Sequence, residues 1–181
     1  MSRDSELVKR ALDGDQGAWR TLVAGYTKVL RPVIGRLSHP SVVDDLLQEV
    51  FLILFRRLEH VAGLLREGDD TRLRNWLYNV AFFVSRTWRR SQARRAIKPL
   101  THDPVDPAQT DPSAAAEQRQ DAIRVKRAFD QLSDEDQEII SLRLESLSYE
   151  DIAKILEITS TAARKRYERA MARLRDLLSR P

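Results

Sequence analysis

Apolar residues recur every three or four positions along most of the chain, which is the period of an α-helix with one buried face. The pattern predicts helices over residues 5–12, 43–58, 71–95 and 114–132, and a long helix that ends at Leu37. Ser133 is expected to cap a further helix, and residues 59–70 are expected to be a connector. Alternating strand patterns and glycines are scarce, so the sequence predicts an all-α protein.

The last two helices have the pattern of a helix-turn-helix unit. Ser148 can cap a short helix, Glu157 and Ile158 break it, and Thr159 can cap a longer one. The polar face of the longer helix carries Ser160, Thr161, Arg164, Lys165 and Glu168. In such units the second helix can enter a DNA major groove. Two amphipathic helices with a short connection are equally compatible with part of a helical bundle, so the pattern alone leaves both interpretations open.

The predicted helix over residues 71–95 carries aromatic and basic side chains beside its apolar stripe. Phe82, Phe83 and Trp88 cannot all lie on that stripe. The basic residues of its second half, with no acid among them, are Arg86, Arg89, Arg90, Arg94 and Arg95. Rings that stack on bases beside cations that neutralise phosphates are typical of single-strand binding. Coverage of a helix–helix contact explains the rings as well, and for Trp88 the two interpretations are equally good.

Four polar side chains cluster in the first turns of the predicted helix over residues 43–58: Asp44, Asp45, Gln48 and Glu49. Carboxylates stabilise the N-terminal end of a helix through its dipole, which explains the cluster structurally. The functional alternative is an acidic edge that docks a basic partner helix.

The composition of the chain argues against a secreted, membrane-spanning or enzymatic protein. The chain has 31 Lys and Arg against 27 Asp and Glu, a net charge of +4 and a pI of about 9.6. It has no cysteine, no apolar run of membrane-spanning length and no signal-peptide core, so we expect a soluble, cytoplasmic protein. The three histidines are isolated and no catalytic or phosphate-binding motif appears. We therefore expect no enzyme activity, no metal and no cofactor.

Residues 97–113 interrupt the helical pattern with Pro99, Pro104, Pro107 and Pro112. Prolines with few apolar residues and no period are typical of a flexible linker. The sequence thus predicts two helical domains, residues 1–96 and residues 114–181, joined by this linker.

Four motifs now follow one another in order: DLLQEVF at residues 45–51, WLYNVA at 76–81, LSDEDQEII at 132–140 and LSYEDIA at 147–153. With the basic helix end, the linker and the long last helix, they resemble a bacterial sigma-70 family factor of the extracytoplasmic-function (ECF) group. The resemblance covers nearly all of the chain. It implies a sigma-2-like domain in residues 1–96 and a sigma-4-like helix-turn-helix domain in residues 114–181.

The resemblance also implies the partners, which are core RNA polymerase, through its β′ coiled coil and β flap, and promoter DNA. Asp45, Gln48 and Glu49 match the motif that docks on the β′ coiled coil. Residues implied at the −10 element are Asn75, Asn79, Phe83, Arg86, Arg89 and Arg90. Residues implied at the −35 element are Ser160, Thr161, Arg164, Lys165 and Glu168. Many members of the group are also held by an anti-sigma factor.

The chain departs from the family pattern at Glu157, where the family commonly has glycine. A left-handed backbone costs a glutamate about 1 kcal/mol, so this turn is expected to differ. Two functions compete with that of a promoter-specificity subunit. One is a dimeric helix-turn-helix repressor or activator that acts without being a polymerase subunit. The other is a helical adaptor whose basic patches only keep it soluble.

Overall fold

The computed structural model describes residues 3–65, 71–95 and 114–179, and every regular element in these ranges is helical. The all-α prediction is therefore confirmed. The helices described are α1 (Arg3–Leu12), α2 (Gln16–Leu37), α3 (Val43–Arg56), α4 (Leu58–Leu64), α5 (Thr71–Arg95), α6 (Ala114–Asp130), α7 (Asp134–Leu144), α8 (Tyr149–Leu156) and α9 (Ser160–Ser179). The predicted linker, residues 97–113, lies outside the described residues.

Helices α1 to α5 form the first group, with α2 at its centre. The side chain of Asp15 caps α2 by accepting hydrogen bonds from the backbone N–H of Gly17 at 2.8 Å and of Ala18 at 3.1 Å. Helix α2 then packs against α1, α3 and α5, and α1 also packs against α4. The interior is aliphatic, as the helical period predicts. Its fully buried members include Leu22, Leu30, Ile34, Leu54, Leu73 and Leu77.

The predicted connector over residues 59–70 is partly wrong. Helix α3 ends at Arg56, and α4 runs from Leu58 to Leu64 in place of the first half of the connector. Leu58 and Val61 are both buried, and their spacing of three residues places them on one helical face. A helix of seven residues, about two turns, supplies too short a pattern to be recognised beside Gly63, whereas tertiary packing stabilises it. Residues 66–70 lie outside the described residues.

Helices α6 to α9 form the second group, in which α6, α7 and α8 all pack on α9. Ser133 caps α7, as predicted, by accepting a hydrogen bond from the backbone N–H of Asp136 at 3.2 Å. The apolar residues of this helix are expected in the core. Ile139, Ile140 and Leu142 are buried, but Leu144 is 60% exposed, so the expectation is wrong for Leu144. Leu144 is the last residue of α7 and lies beyond the run of buried residues from Asp136 to Leu142.

The two groups contact each other, and two pairs of helices contribute most of the packing between them. Helix α2 contacts α7, and α5 contacts α8. Because α7 lies between α9 and the first group, it is buried on several sides, including the polar residues Asp136, Gln137 and Glu138 near its start. Among the described helices, none combines the length and apolarity needed to cross a membrane.

Candidate nucleic-acid interface

The polar cluster on α3 forms an exposed edge. Asp45, Gln48 and Glu49 are all exposed, at positions that share one face of the helix. The opposite face buries Leu46, Leu47 and Val50 in the core. In the part of the chain that the structure describes, neither Asp45 nor Glu49 has an ion-pair partner. The edge therefore presents two uncompensated carboxylates to a partner.

Asp44, the fourth residue of that cluster, behaves differently. Its carboxylate forms an ion pair with Arg31 of α2, and both side chains are largely exposed. Asp44 therefore ties the start of α3 to α2 and is separate from the free acidic edge.

The residues of α5 that the sequence assigns to single-stranded DNA are divided by the fold. Asn79, Phe83 and Arg90 are exposed, with 64% of Phe83 accessible. Asn75 is half-buried, and its side-chain oxygen is buried without a hydrogen-bond partner in the described part of the chain. The remaining two residues, Arg86 and Arg89, are half-buried and face the second group of helices.

Arg86 and Arg89 are held by the start of α7. Arg86 donates a hydrogen bond from Nη2 to Oε1 of Glu138, and its Nε lies 3.5 Å from Asp134. Arg89 lies 2.8 Å from Asp134 and also donates to the side-chain oxygen of Gln137. The acidic start of α7 thus occupies two of the cations assigned to the −10 element.

Burial and charge act in opposite directions on Glu138. Only 4% of this residue is exposed, and burial raises the pKa of its carboxyl while the Arg86 guanidinium partly offsets that effect. The same hydrogen bond raises the pKa of Arg86 above its ordinary value. A carboxylate buried this deeply would be costly without its arginine, so the pair depends on the contact between the two groups of helices.

The structure distinguishes the three aromatic residues of α5 that the sequence could not place together on the apolar stripe, Phe82, Phe83 and Trp88. Phe82 is buried and stacks on Tyr78, with ring centroids 6.5 Å apart. Trp88 is half-buried and packs against the core, which favours the helix-contact interpretation for this residue. Phe83 alone of the three points outward and remains available to stack on a base.

A cleft of about 550 Å³ lies between α5 and the helix-turn-helix unit. Asn79, Phe83 and Arg86 line one side, and Glu157 and Arg166 line the other. We call this arrangement, in which the two groups of helices contact each other, the closed arrangement. It brings the exposed face of α5 close to the turn between α8 and α9.

The helix-turn-helix unit has the predicted boundaries. Ser148 accepts a hydrogen bond from the backbone N–H of Asp151 at 3.1 Å, and Thr159 accepts one from that of Ala162 at 3.1 Å. Both predicted caps are thus present. Between the two helices, Glu157 has φ 55° and ψ 42°, and Ile158 donates its backbone N–H to the carbonyl of Ala153 at 3.0 Å.

The expectation that the turn would differ from one built on glycine is wrong. Glu157 adopts the left-handed conformation that glycine favours, and the bond from Ile158 to Ala153 closes the helix end in the manner of a Schellman motif. Packing of α8 on α9 therefore overrides the intrinsic cost of a left-handed glutamate.

Helix α9 has one buried and one exposed face. Ala163, Ala170 and Leu174 are buried against the other helices. The residues assigned to the −35 element lie away from them: Thr161, Arg164, Lys165 and Glu168 are exposed and Ser160 is half-buried. The fold thus brings the predicted base-reading residues together on an accessible helix face.

The sequence did not predict how the two groups of helices contact each other. Arg36 of α2 pairs with Glu145, and Arg74 of α5 lies 3.9 Å from Asp151. Lys126 donates to the backbone carbonyl of Arg36 at 3.0 Å. The opposite charges of α5 and α7 are apparent in the sequence and indicate that the two helices could pair. The sequence does not show which residues pair, because they lie so far apart in the chain. Within the described residues, no cluster of His, Cys, Asp and Glu is suited to a metal ion.

Known proteins share the sequence pattern and the fold of this chain. Residues 122–174, which include α7, α8 and most of α9, match the family Sigma-70, region 4. The chain is 28% identical to the ECF RNA polymerase sigma-E factor of Escherichia coli (strain K12) over 178 residues, which covers 92% of this chain and 90% of that protein. It is 27% identical over 177 residues to the protein of the same name from Haemophilus influenzae, with the same coverage.

Two solved structures share the fold. CnrH in complex with the cytosolic domain of CnrY matches with a TM-score of 0.69 at 23% identity, over 98% of this chain and 97% of that chain. The sigma factor RpoE of Bartonella quintana, in complex with the anti-sigma factor NepR, matches with a TM-score of 0.62 at 22% identity, over 88% and 95%. The resemblance drawn from the motifs is thus confirmed: residues 122–174 match Sigma-70, region 4, and the chain is similar over most of its length to ECF RNA polymerase sigma-E factors.

Proposed function

We propose that this chain is an alternative sigma factor, which binds core RNA polymerase and directs it to promoters through their −10 and −35 elements. The observation that carries the proposal is the exposed polar face of α9 within the region 4 match. A free acidic edge on α3 of the same chain provides the second surface that such a factor needs. The chain supplies recognition, and the polymerase supplies the chemistry.

Docking to the polymerase is assigned to Asp45, Gln48 and Glu49. The carboxylates of Asp45 and Glu49 lack ion-pair partners in the described part of the chain, so they can pair with arginines of a basic coiled coil such as that of β′. Charge complementarity of this kind mainly sets orientation and the rate of association. The second group of helices is assigned to the β flap, because a two-point attachment holds both DNA-reading surfaces on one polymerase.

Recognition of the −35 element is assigned to α9. The exposed side chains of Arg164 and Lys165 can reach base edges and phosphates of a duplex, and Ser160, Thr161 and Glu168 flank them on the same helix. An arginine in the major groove most often pairs with guanine. Sequence reading therefore depends chiefly on Arg164, while Lys165 contributes mainly to affinity.

Recognition of the −10 element is assigned to α5. Phe83 is exposed beside Asn79, an arrangement in which an unpaired base can stack on the ring and bond to the amide. Asn75 and Arg90 extend this surface. Arg86 and Arg89 can join it only after α7 withdraws, since α7 holds both of them in the closed arrangement.

The proposal divides the chain into a sigma-2-like domain, residues 1–96, and a sigma-4-like domain, residues 114–181, joined by residues 97–113. It places the protein in the cytoplasm with the polymerase. The two solved structures compared above are both complexes with a second protein, which in one of them is an anti-sigma factor. An anti-sigma factor is accordingly proposed as a further partner of this chain.

The proposal is tested by size-exclusion chromatography and DNA binding, each with and without core polymerase. A sigma factor co-elutes with the core and binds promoter DNA specifically in its presence. A dimeric repressor or activator would instead elute as a dimer and bind a palindromic duplex unaided. Failure to bind either polymerase or DNA would favour the adaptor and contradict the proposal.

A further inference from the structure

Two arginines of the second group share one aromatic ring. The guanidinium carbon of Arg143, near the end of α7, lies 4.7 Å from the ring centroid of Tyr149 at the start of α8. That of Arg164 on α9 lies 5.5 Å from the same centroid. Both distances are within the range of a cation–π interaction. Tyr149 therefore connects all three helices of the helix-turn-helix region through one ring.

The position of Tyr149 is fixed by its surroundings. Ser148 caps α8 immediately before it, which sets the backbone at this residue. Tyr149 is half-buried and packs against the core, and the ring of Tyr167 lies 6.2 Å away at an angle of 59°. A ring held in this way presents a fixed surface to any side chain that lies against it.

Arg143 is tethered, whereas Arg164 is not. Arg143 donates a hydrogen bond from Nη1 to the carbonyl of Leu147, and it also lies 5.8 Å from the ring of Tyr167. Arg164 is exposed, and within the described residues its guanidinium forms no ion pair or hydrogen bond. Within the described part of the chain, the Tyr149 ring therefore supplies the interaction that orients the Arg164 guanidinium.

The charges around this ring are unbalanced. Two guanidinium groups lie against it, and neither forms an ion pair within the described part of the chain. Like charges this close repel each other, and the electron-rich ring face offsets part of that repulsion. An approaching DNA anion or an acceptor on a base edge would complete the arrangement.

We infer that Tyr149 is a positioning residue for recognition of the −35 element, which acts by holding the Arg164 guanidinium in the orientation needed to meet a base edge. This inference rests on the proposed function. Tyr149 itself contacts no base in this account. A freely rotating arginine would lose side-chain entropy on binding, and the ring removes part of that cost in advance.

The test uses the full chain with core polymerase and a promoter fragment whose start has been mapped with the wild-type protein. The quantity measured is the ratio of affinities for this fragment and for the same fragment with a scrambled −35 region. Tyr149→Leu is expected to lower the ratio about 2- to 5-fold, the range of an exposed cation–π contact. Tyr149→Phe, which keeps the ring face, is expected to restore it.

Two controls separate positioning from a structural role. Tyr26→Leu removes another half-buried tyrosine ring, on α2 in the first group of helices, and it is expected to leave the ratio unchanged. In an Arg164→Ala background, Tyr149→Leu is expected to have no further effect, because the residue through which it acts is gone. If Tyr149→Leu does not fold, Tyr149→pentafluorophenylalanine keeps the shape, reverses the ring electrostatics and must lower the ratio relative to Tyr149→Phe.

The outcomes distinguish this inference from the function on which it rests. If Arg164→Ala lowers the ratio and Tyr149→Leu does not, or if the two effects add, the inference is wrong and the sigma function stands. If the wild-type protein itself shows no preference for the intact −35 region, the −35 assignment and the inference are both wrong.

Discussion

Arg86 of α5 and Glu138 of α7 form an ion pair across the two groups of helices, although they are 52 residues apart in the chain. Glu138 is almost fully buried, and the neighbouring pair of Arg89 with Asp134 at 2.8 Å lies beside it. These contacts hold α7 over cations that we assign to the −10 element. If that assignment holds, Arg86 and Arg89 cannot contact promoter DNA while they are paired with α7.

Reversing one charge should open the chain. Glu138→Lys places a cation against Arg86 and Arg89, so we expect the two groups of helices to separate. The chain has no cysteine, which allows dyes to be attached at Arg20→Cys on α2 and Arg169→Cys on α9. Energy transfer between the dyes is expected to fall in Glu138→Lys and to recover when Arg86→Glu is added.

The matched control for this experiment is Asp44→Lys. Asp44 pairs with Arg31 inside the first group, and both side chains are exposed, so its reversal changes the charge equally without touching the contact. Equal energy transfer in the wild type, Asp44→Lys and Glu138→Lys would contradict the account of the closed arrangement.

Charge reversal on the α3 edge should weaken binding to the core polymerase. Asp45→Lys combined with Glu49→Lys is expected to reduce affinity about tenfold or more, because like charges then face the basic partner. Both positions are exposed, so the unfolding free energy should change little. Affinity can be measured by fluorescence anisotropy of the labelled chain titrated with core polymerase.

The control for this pair is Asp13→Lys with Glu59→Lys, which makes the same change of net charge at two exposed positions away from the edge. A similar loss of affinity in both double variants would point to a general charge effect. Unchanged affinity of the edge variant would show that docking lies elsewhere.

The helical period could predict most of the fold because each helix buries one stripe. Leu73 and Leu77 are buried as their spacing requires, and Ser148 caps α8 as its residue type indicates. Leu144 shows the limit of that reasoning, since an apolar residue at a helix end need not lie on the buried stripe. The contact of Arg86 with Glu138 could not be predicted from the sequence, because pairing of distant charges depends on tertiary packing that the local pattern does not encode.

Glu157→Gly should stabilise the second group of helices. Glu157 has a positive φ of 55°, which glycine adopts without steric cost, so the free energy of unfolding is expected to rise by about 1 kcal/mol. Urea denaturation measures this change. The control Lys154→Gly, inside α8, should lower it by about 1 kcal/mol. A loss of stability in Glu157→Gly would mean that the glutamate side chain supports the turn.

Tyr78 should make stability fall at alkaline pH. Its burial raises the pKa of the phenol from 10.0 to about 12, so the folded state keeps a proton that the unfolded state releases between these values. The contribution of Tyr78 is therefore complete below pH 10 and declines as pH rises toward 12, with a loss of about 1.4 kcal/mol at pH 11. Urea denaturation of the wild type and of Tyr78→Phe at pH 9 and pH 11 isolates this loss. An equal change in the free energy of unfolding of both proteins between the two pH values would contradict the prediction.

In vitro transcription tests most directly whether the chain directs RNA polymerase to promoters. The chain and core polymerase are incubated with genomic DNA and nucleotides, and the 5′ ends of the transcripts are mapped. We expect a small set of reproducible starts that share upstream −10 and −35 elements, with Arg164→Ala lowering use of the −35 element by about 1–3 kcal/mol of discrimination. Starts that are the same with and without the chain would contradict the account.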